Sequence, residues 1–151
     1  MKTVRVYFDA SVMIAALISQ KGGSSLLLEY VKQGRIIGIT SQTAINEILE
    51  EDKPKKIKKS KKEIKHFIAQ SGLVVRKVIT GEDVASYKDQ VDVEDAHLIA
   101  GANFTKSLYL VTLDKKHLLR EDIKQKFLPL KIVSPKELLE KLVPTNRDNF
   151  F

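Results

Sequence analysis

Short segments rich in β-forming residues alternate with helical segments along nearly the whole 151-residue chain. The predicted strands cover residues 4–8, 36–40, 73–79, 108–112 and 130–133. The predicted helices cover residues 11–19, 24–33, 41–51, 60–70, 80–88 and 93–104, and a last helix begins at Ser134. Alternating strands and helices are joined by crossovers, which leave the strands parallel and the helices on both faces of the sheet. The pattern predicts one domain over residues 1–143, a three-layer α/β/α fold with a mainly parallel central sheet, followed by a tail over 144–151.

Polar residues mark where several of these helices begin. Ser41 is placed to cap the helix after the second strand, and Ser60, Thr80 and Ser134 open sequences of the capping-box type. Asp92 is placed to cap the helix over 93–104. The predicted helix starts therefore rest on capping chemistry as well as on hydrophobic periodicity.

The net charge of +7 is concentrated in residues 53–65, here named the Lys-rich segment. This segment contains eight lysines and one acid, Glu63, whereas the other 18 Lys and Arg residues are matched by 18 Asp and Glu residues. Concentrated lysines suit the phosphate backbone of a nucleic acid. They are equally typical of a solvated helix face or of a surface loop that keeps a protein soluble. The charge alone leaves both interpretations open.

Several kinds of chemistry are excluded by what the sequence lacks. The absence of Cys excludes disulfides, thiolate catalysis and Cys-ligated zinc. There is no Gly-x-Ser-x-Gly motif, no Walker loop and no Gly-rich dinucleotide turn. No apolar run approaches the roughly 20 residues that span a bilayer, and the N-terminal apolar stretch is too short for a signal peptide, so we expect a cytoplasmic protein. His97 and His117 stand near acids in the sequence, so either could approach a site there, but a surface or hydrogen-bonded role is the favoured expectation for both.

Acidic residues occupy positions that matter in a parallel sheet. Asp9 directly follows the first predicted strand, and Asp114 stands two residues after the fourth. Asp95 lies in the first turn of its helix, three residues after Asp92, and Glu47 lies on a largely apolar helix face. Parallel sheets bind ligands at the carboxyl ends of their strands, and the positive end of a helix dipole tolerates an acid. The positions therefore predict one acidic cluster.

Each of these acids also has a purely structural interpretation when it is taken alone. Asp9, Asp92 and Asp114 can cap helices or turns, and Asp95 suits the N-terminus of a helix. Glu47 is harder to explain in this way, because an unpaired carboxylate among apolar side chains is costly. Only the set as a whole favours a functional site.

Four stretches around these acids resemble the acidic motifs of the PIN-domain ribonucleases. The stretches are residues 8–11 (Phe-Asp-Ala-Ser), 44–48 (Ala-Ile-Asn-Glu-Ile), 91–102 and 109–114. They occur in the order of the family and at compatible spacing, and the resemblance runs from about residue 3 to residue 142. The chain length is similar to that of the toxin nucleases of bacterial and archaeal toxin–antitoxin pairs.

The resemblance implies a PIN-like fold and a metal-dependent endoribonuclease that leaves a 5′-phosphate and a 3′-hydroxyl. By resemblance, the catalytic metal-binding acids are Asp9, Glu47, Asp95 and Asp114, Asp92 is an accessory metal ligand, and Ser11 and Thr112 orient the acids. Hard divalent cations prefer oxygen ligands, so the expected cofactor is Mg²⁺ or Mn²⁺. One and two bound ions both remain open.

The expected partners are an RNA substrate, an antitoxin protein and a second copy of the chain. The Lys-rich segment is not a family signature, and its assignment to RNA binding rests on charge. The predicted RNA-binding residues are Lys55, Lys56, Lys58, Lys59, Lys61 and Lys62. Two alternatives remain: a PIN-like module that binds RNA or protein without cutting, and a metal-dependent phosphatase acting on small phosphoesters. The complete set of acids favours cleavage over the first, and the Lys-rich segment favours a polymer over the second.

Overall fold

A computed structural model describes residues 3–50, 52–92 and 94–142. The strands are β1 (Arg5–Phe8), β2 (Ile37–Ser41), β3 (Val74–Arg76), β4 (Tyr109–Val111) and β5 (Lys131–Val133). The helices are α1 (Ala10–Ile18), α2 (Gly23–Lys32), α3 (Gln42–Leu49), α4 (Lys53–Ile57), α5 (Lys61–Gln70), α6 (Gly81–Val84), α7 (Ala96–Phe104), α8 (Glu121–Lys126) and α9 (Pro135–Leu142).

The five strands form one sheet in the order β3-β2-β1-β4-β5, and every neighbouring pair is parallel. The predicted fold class is therefore confirmed. The third strand is shorter than predicted, because it ends at Arg76 rather than at residue 79. β3 lies at the edge of the sheet, and all three of its residues are exposed. Little burial of its side chains therefore stabilises a longer strand at this position. The chain beyond it is held instead by α3, where the hydroxyl of Thr43 accepts a hydrogen bond from the Ile79 N–H at 2.8 Å.

Helices cover both faces of the sheet, because successive strand residues point to opposite sides. Val6 and Phe8 of β1 pack on one face with apolar residues of α1, α2 and α9. Tyr7 points to the other face, where residues of α7 and α8 complete a second cluster. A third cluster joins α1 to α3, α4 and α5. This burial on both faces is what a parallel sheet requires.

The helix caps predicted at Ser41, Ser60, Thr80 and Ser134 are present. The Ser41 hydroxyl accepts a hydrogen bond from the Ala44 N–H at 3.2 Å. Reciprocal capping boxes join Ser60 with Glu63, Thr80 with Asp83 and Ser134 with Glu137. The helix predicted over 80–88 is nevertheless wrong beyond Val84, where turns continue to residue 90. None of residues 81–90 is buried, so no apolar face holds a longer helix against the core.

Two helices were not predicted, and one of them lies in the Lys-rich segment. Helix α4 has Pro54 in its first turn and ends at Ile57. The C-cap residue, Lys58, has a left-handed φ of 62°. Pro54 and Ile57 are buried, as is Ile64 in the next helix, so the segment is anchored to the third cluster. The other unpredicted helix is α8. Both are short and place few residues in the core, which leaves a weak periodic signal.

Among the described residues, no single helix is long and apolar enough to cross a membrane. Helices α1 and α2 meet the criterion only as a pair bent by 102°, and only by length and composition.

Candidate functional site

The acidic residues gather where the strand order of the sheet reverses. From β1 the chain proceeds outward through β2 to β3, and it later returns to the other side of β1 to form β4 and β5. Asp9 follows β1 and donates its backbone N–H to Val111 of β4 at 3.1 Å. Asp114 stands three residues beyond the end of β4. The reversal point of an open parallel sheet leaves a crevice at the carboxyl ends of its strands.

Asp9 is the most enclosed of these acids, with 7% of its surface exposed. Its Oδ2 atom accepts hydrogen bonds from the hydroxyls of Ser11 at 2.9 Å and Thr112 at 2.7 Å. Its side chain makes no capping hydrogen bond to α1, so capping does not explain this residue. Burial raises the pKa of Asp9, the two hydroxyls oppose the rise, and the charge of Glu47 adds to it. The two predicted supporting residues thus contact Asp9 directly.

Asp114 is oriented by the turn that follows it. Its Oδ1 atom accepts the backbone N–H groups of Lys116 at 3.1 Å and His117 at 2.9 Å. Its own N–H donates to the Thr112 hydroxyl at 3.1 Å. Thr112 therefore connects Asp9 to Asp114 through one side chain. The second carboxylate oxygen of Asp114, Oδ2, lies 3.3 Å from Nδ1 of His117.

The prediction that Asp92 caps a helix starting at residue 93 is wrong. Helix α7 begins at Ala96, Val93 lies outside the described residues, and Asp95 occupies the N-cap position without a side-chain capping bond. The exposed Asp92 side chain accepts the Glu94 N–H at 3.0 Å, which stabilises the turn before the helix. The backbone N–H groups of Asp95 and Ala96 both donate to the Asp92 carbonyl. These bonds form a turn in front of α7, so the helix begins after Asp95 rather than at residue 93.

The pKa of Asp95 is raised to about 6 from an ordinary value of 3.8. Burial is the largest cause, and the charges of Asp114, Asp9 and Asp92 add to it, while His117 opposes the rise. The carboxylates that follow β1 and β4 thus add to the effect of burial on the acid at the start of α7.

Glu47 reaches the same region from α3. Its Oε1 atom lies 2.7 Å from Nε2 of His97, a close contact that lacks the geometry of a hydrogen bond. His97 is only 8% exposed, so the surface role favoured for this histidine is wrong, and it lies instead beside an acid of the site. Glu47 also raises the pKa of Asp9 through its charge. The structure therefore brings all four predicted acids to one edge of the sheet.

A histidine that was not among the predicted site residues joins this cluster. Ligand atoms of Asp95, Asp114 and His117 all lie within 4.8 Å of one another, close enough to hold one metal ion. The sequence signal was present, since His117 stands three residues after Asp114 at a turn-forming spacing. The charge on an imidazole is variable near neutral pH, which made a surface role equally plausible from sequence.

The donor set fits a hard divalent cation. Among the described residues, only histidines lower the pKa of Asp9 or Asp95 through their charge; no Lys or Arg does so. Carboxylates crowded together without such a cation destabilise one another's charged forms, and a bound divalent ion reverses that effect. Carboxylate oxygens are also the ligands that Mg²⁺ and Mn²⁺ prefer.

The fold and this acidic crevice define a doubly wound α/β protein with a carboxylate-rich site at its switch point. The PIN domain family model matches residues 5–116, most of the chain, and the protein belongs to the PIN-domain family. A chain in the crystal structure of VapBC2 from Rickettsia felis bound to a DNA fragment from the promoter has the same fold, with a TM-score of 0.60. The identity is 11%, and the match covers 87% of this chain and 98% of that one. No protein with a curated description matches the chain.

Proposed function

We propose that this PIN-domain protein is a metal-dependent endoribonuclease that uses Mg²⁺ or Mn²⁺ and leaves a 5′-phosphate and a 3′-hydroxyl. The observation that carries the proposal is the cluster at the reversal point of the sheet, where ligand atoms of Asp95, Asp114 and His117 lie within 4.8 Å of one another. Burial and the surrounding carboxylates raise the pKa of Asp95 to about 6 in this cluster. Such a cluster is unfavourable without a cation and is the arrangement that phosphodiester-cleaving metal sites use.

Each residue has a distinct part in this proposal. Asp95 and Asp114 hold the metal together with His117, since ligand atoms of the three lie within 4.8 Å of one another. Asp9 and Glu47 complete the proposed set of metal-binding acids, and Asp92 is an accessory ligand. Ser11 and Thr112 hold Asp9 in one orientation through hydrogen bonds of 2.9 and 2.7 Å. A divalent ion in such a site activates a water molecule and stabilises the charge that develops on the leaving oxygen.

The proposal extends to the biological setting. The similarity in fold to a chain of VapBC2, together with the length of the chain, supports a role as the toxin of a toxin–antitoxin pair. An antitoxin protein and a second copy of this chain are then its proposed protein partners. The proposed location is the cytoplasm, where RNA and such an antitoxin are available.

The central test is RNA cleavage. Purified protein is incubated with mixed single-stranded RNA and either Mg²⁺ or Mn²⁺, with and without EDTA, and product ends are mapped by ligation. We expect cleavage that EDTA abolishes and products with 5′-phosphates. RNA binding without cleavage would instead indicate the non-catalytic module, and hydrolysis confined to small phosphoesters would indicate the phosphatase.

The Lys-rich segment is proposed to hold the substrate. Replacing Lys55, Lys56, Lys58 and Lys59 with Gln should weaken RNA binding and flatten its salt dependence. Each lost phosphate contact should change the slope of log K against log salt by ~0.7 for a single strand. Turnover at saturating RNA should change little, because these residues bind no metal.

A matched control for this variant is Gln at Lys21, Lys32, Lys136 and Lys141, four exposed lysines outside the segment. The control removes the same net charge but should leave most of the salt dependence intact. Equal effects in both variants would show that only total charge matters. An unchanged slope in the first variant would assign the segment to solubility or to antitoxin docking.

Glu47→Gln is expected to abolish cleavage while leaving the metal-free protein at least as stable as the wild type. The substitution removes a like charge that raises the pKa of Asp9, so folding in EDTA should not suffer. Urea unfolding in EDTA at pH 8 measures this effect. Marked destabilisation in EDTA at pH 8 would show that Glu47 is chiefly a structural partner of His97.

A further inference from the structure

A groove outside the acidic cluster runs along one face of α7. His97, Gly101 and Phe104 are spaced by four and three residues, so they lie along one side of this helix. His97 contacts Glu47 at the acidic end, and Gly101 and Phe104 line a cavity of about 480 Å³ that also reaches the segment after β3. The cavity therefore lies on the same face of α7 as His97, towards the C-terminal end of the helix.

Tyr7 closes the inner side of this groove without exposing its hydroxyl. The residue is fully buried, and its hydroxyl has almost no accessible surface. A Cβ atom on Gly101 would overlap this hydroxyl, so only glycine allows the ring to lie against α7. Burial raises the pKa of Tyr7, the Ser41 side chain opposes the rise, and the charges of Asp9 and Glu47 add to it.

The walls of the groove combine exposed apolar side chains with cations. Phe104 is 65% exposed and Val78 52% exposed, high values for large apolar residues that face a shared cavity. Arg76 and Lys77 line the same cavity and are exposed. The one acid in the lining, Asp83, is already engaged, because its carboxylate accepts the Thr80 N–H at 2.9 Å.

This combination suits one nucleotide of a single RNA strand. Exposed aromatic rings stack on unpaired bases, and Arg or Lys binds the adjoining phosphate. We propose that the groove between α7 and the segment after β3 binds one nucleotide of single-stranded RNA outside the acidic cluster. Phe104 stacks on the base, and Arg76 and Lys77 hold its phosphate. The assignment of RNA as the ligand rests on the proposed function.

The test compares Phe104→Ala with Ile18→Ala. Ile18 is also 65% exposed, but it lies at the end of α1 outside the groove, so its loss removes a similar exposed apolar surface. Affinity for short single-stranded RNA is measured in EDTA, where binding proceeds without cleavage. Loss of one stacked base predicts affinity about tenfold weaker for Phe104→Ala and no change for Ile18→Ala.

Cleavage patterns of mixed RNA, read by sequencing the product ends, provide the second measurement. Phe104→Ala should redistribute the cleavage sites, whereas Ile18→Ala should not. A protein that cuts RNA, with affinity and cleavage pattern unchanged in Phe104→Ala, overturns the subsite and leaves the proposed function intact. A protein that does not cut RNA, but whose RNA affinity falls tenfold in Phe104→Ala, retains the subsite and loses the proposed function. A dimer dissociated by Phe104→Ala with unchanged RNA binding overturns the subsite and assigns this face to a second copy.

Discussion

Asp9→Asn should lower RNA cleavage by more than about a hundredfold while the protein remains folded. Asn keeps the size of the side chain and still accepts hydrogen bonds from the hydroxyls of Ser11 and Thr112, so the local structure should persist. The substitution removes the negative charge. Losing a residue that hydrogen-bonds to a metal ligand typically lowers activity or metal affinity by about 10- to 100-fold, and losing the metal-binding carboxylate itself should lower activity further. Calorimetry should show weaker Mn²⁺ binding, and circular dichroism should be unchanged.

The matched control is Asp122→Asn. Asp122 is an exposed aspartate on α8 that pairs with Arg120 at 2.6 Å, and exposed pairs of this kind contribute little. Cleavage and Mn²⁺ binding should both be normal in the control. Near-normal cleavage in Asp9→Asn would remove this residue from the catalytic assignment.

Asp95→Asn and Asp92→Asn should separate a metal ligand from a turn-stabilising residue. Asp95 contributes a ligand atom to the set that Asp114 and His117 complete, so its substitution should abolish cleavage. Asp92 is exposed and accepts the Glu94 N–H, so its substitution should only reduce cleavage. Asp92→Ala should lose about 1 kcal/mol of stability, the usual net contribution of one hydrogen bond, because it removes the acceptor of the Glu94 N–H. Equal and complete loss of cleavage in both Asn variants would make Asp92 a primary ligand.

The pH dependence of Asp95→Asn follows from the raised pKa. The folded metal-free protein holds the proton of Asp95 up to about pH 6, whereas an unfolded chain releases it near 3.8. The contribution of Asp95 to stability is therefore fully present below pH 3.8 and is lost as the pH rises to about 6. Asn is uncharged throughout, so the variant should be more stable than the wild type by about 1–2 kcal/mol at pH 7, a range discounted for partial exposure.

Urea unfolding in EDTA at pH 4 and pH 7 measures this difference. The gain in free energy of unfolding should be present at pH 7 and nearly absent at pH 4. Mn²⁺ binding to the wild type should weaken below pH 6, because protons compete with the metal for Asp95. An equal gain at both pH values would mean that the substitution acts through something other than charge.

The layered fold was predictable because its signals are local. The strand over 4–8 alternates in the sequence, and Val6, Phe8 and Tyr7 do point to opposite faces. The capping signal at Ser60 predicted a bond to Glu63 that forms within one helical turn. The edge strand and the helix after Thr80 were predicted too long, because their ends depend on burial by other elements rather than on their own residues.

The order and spacing of the acids can be read from the sequence. The carboxyl ends of the strands in a parallel sheet meet at one edge, where ligands bind. The sequence therefore determined which side of the molecule carries Asp9 and Asp114. Only the tertiary structure decided the chemistry of that edge. Thr112 connects two carboxylates from different strands, and His97 lies beside Glu47 across two helices. The groove beside Tyr7 also depends on tertiary packing, because Gly101 of α7 lies directly over Tyr7 of β1. Contacts of this kind join residues tens of positions apart, and their distances are set by how the layers pack rather than by any local pattern.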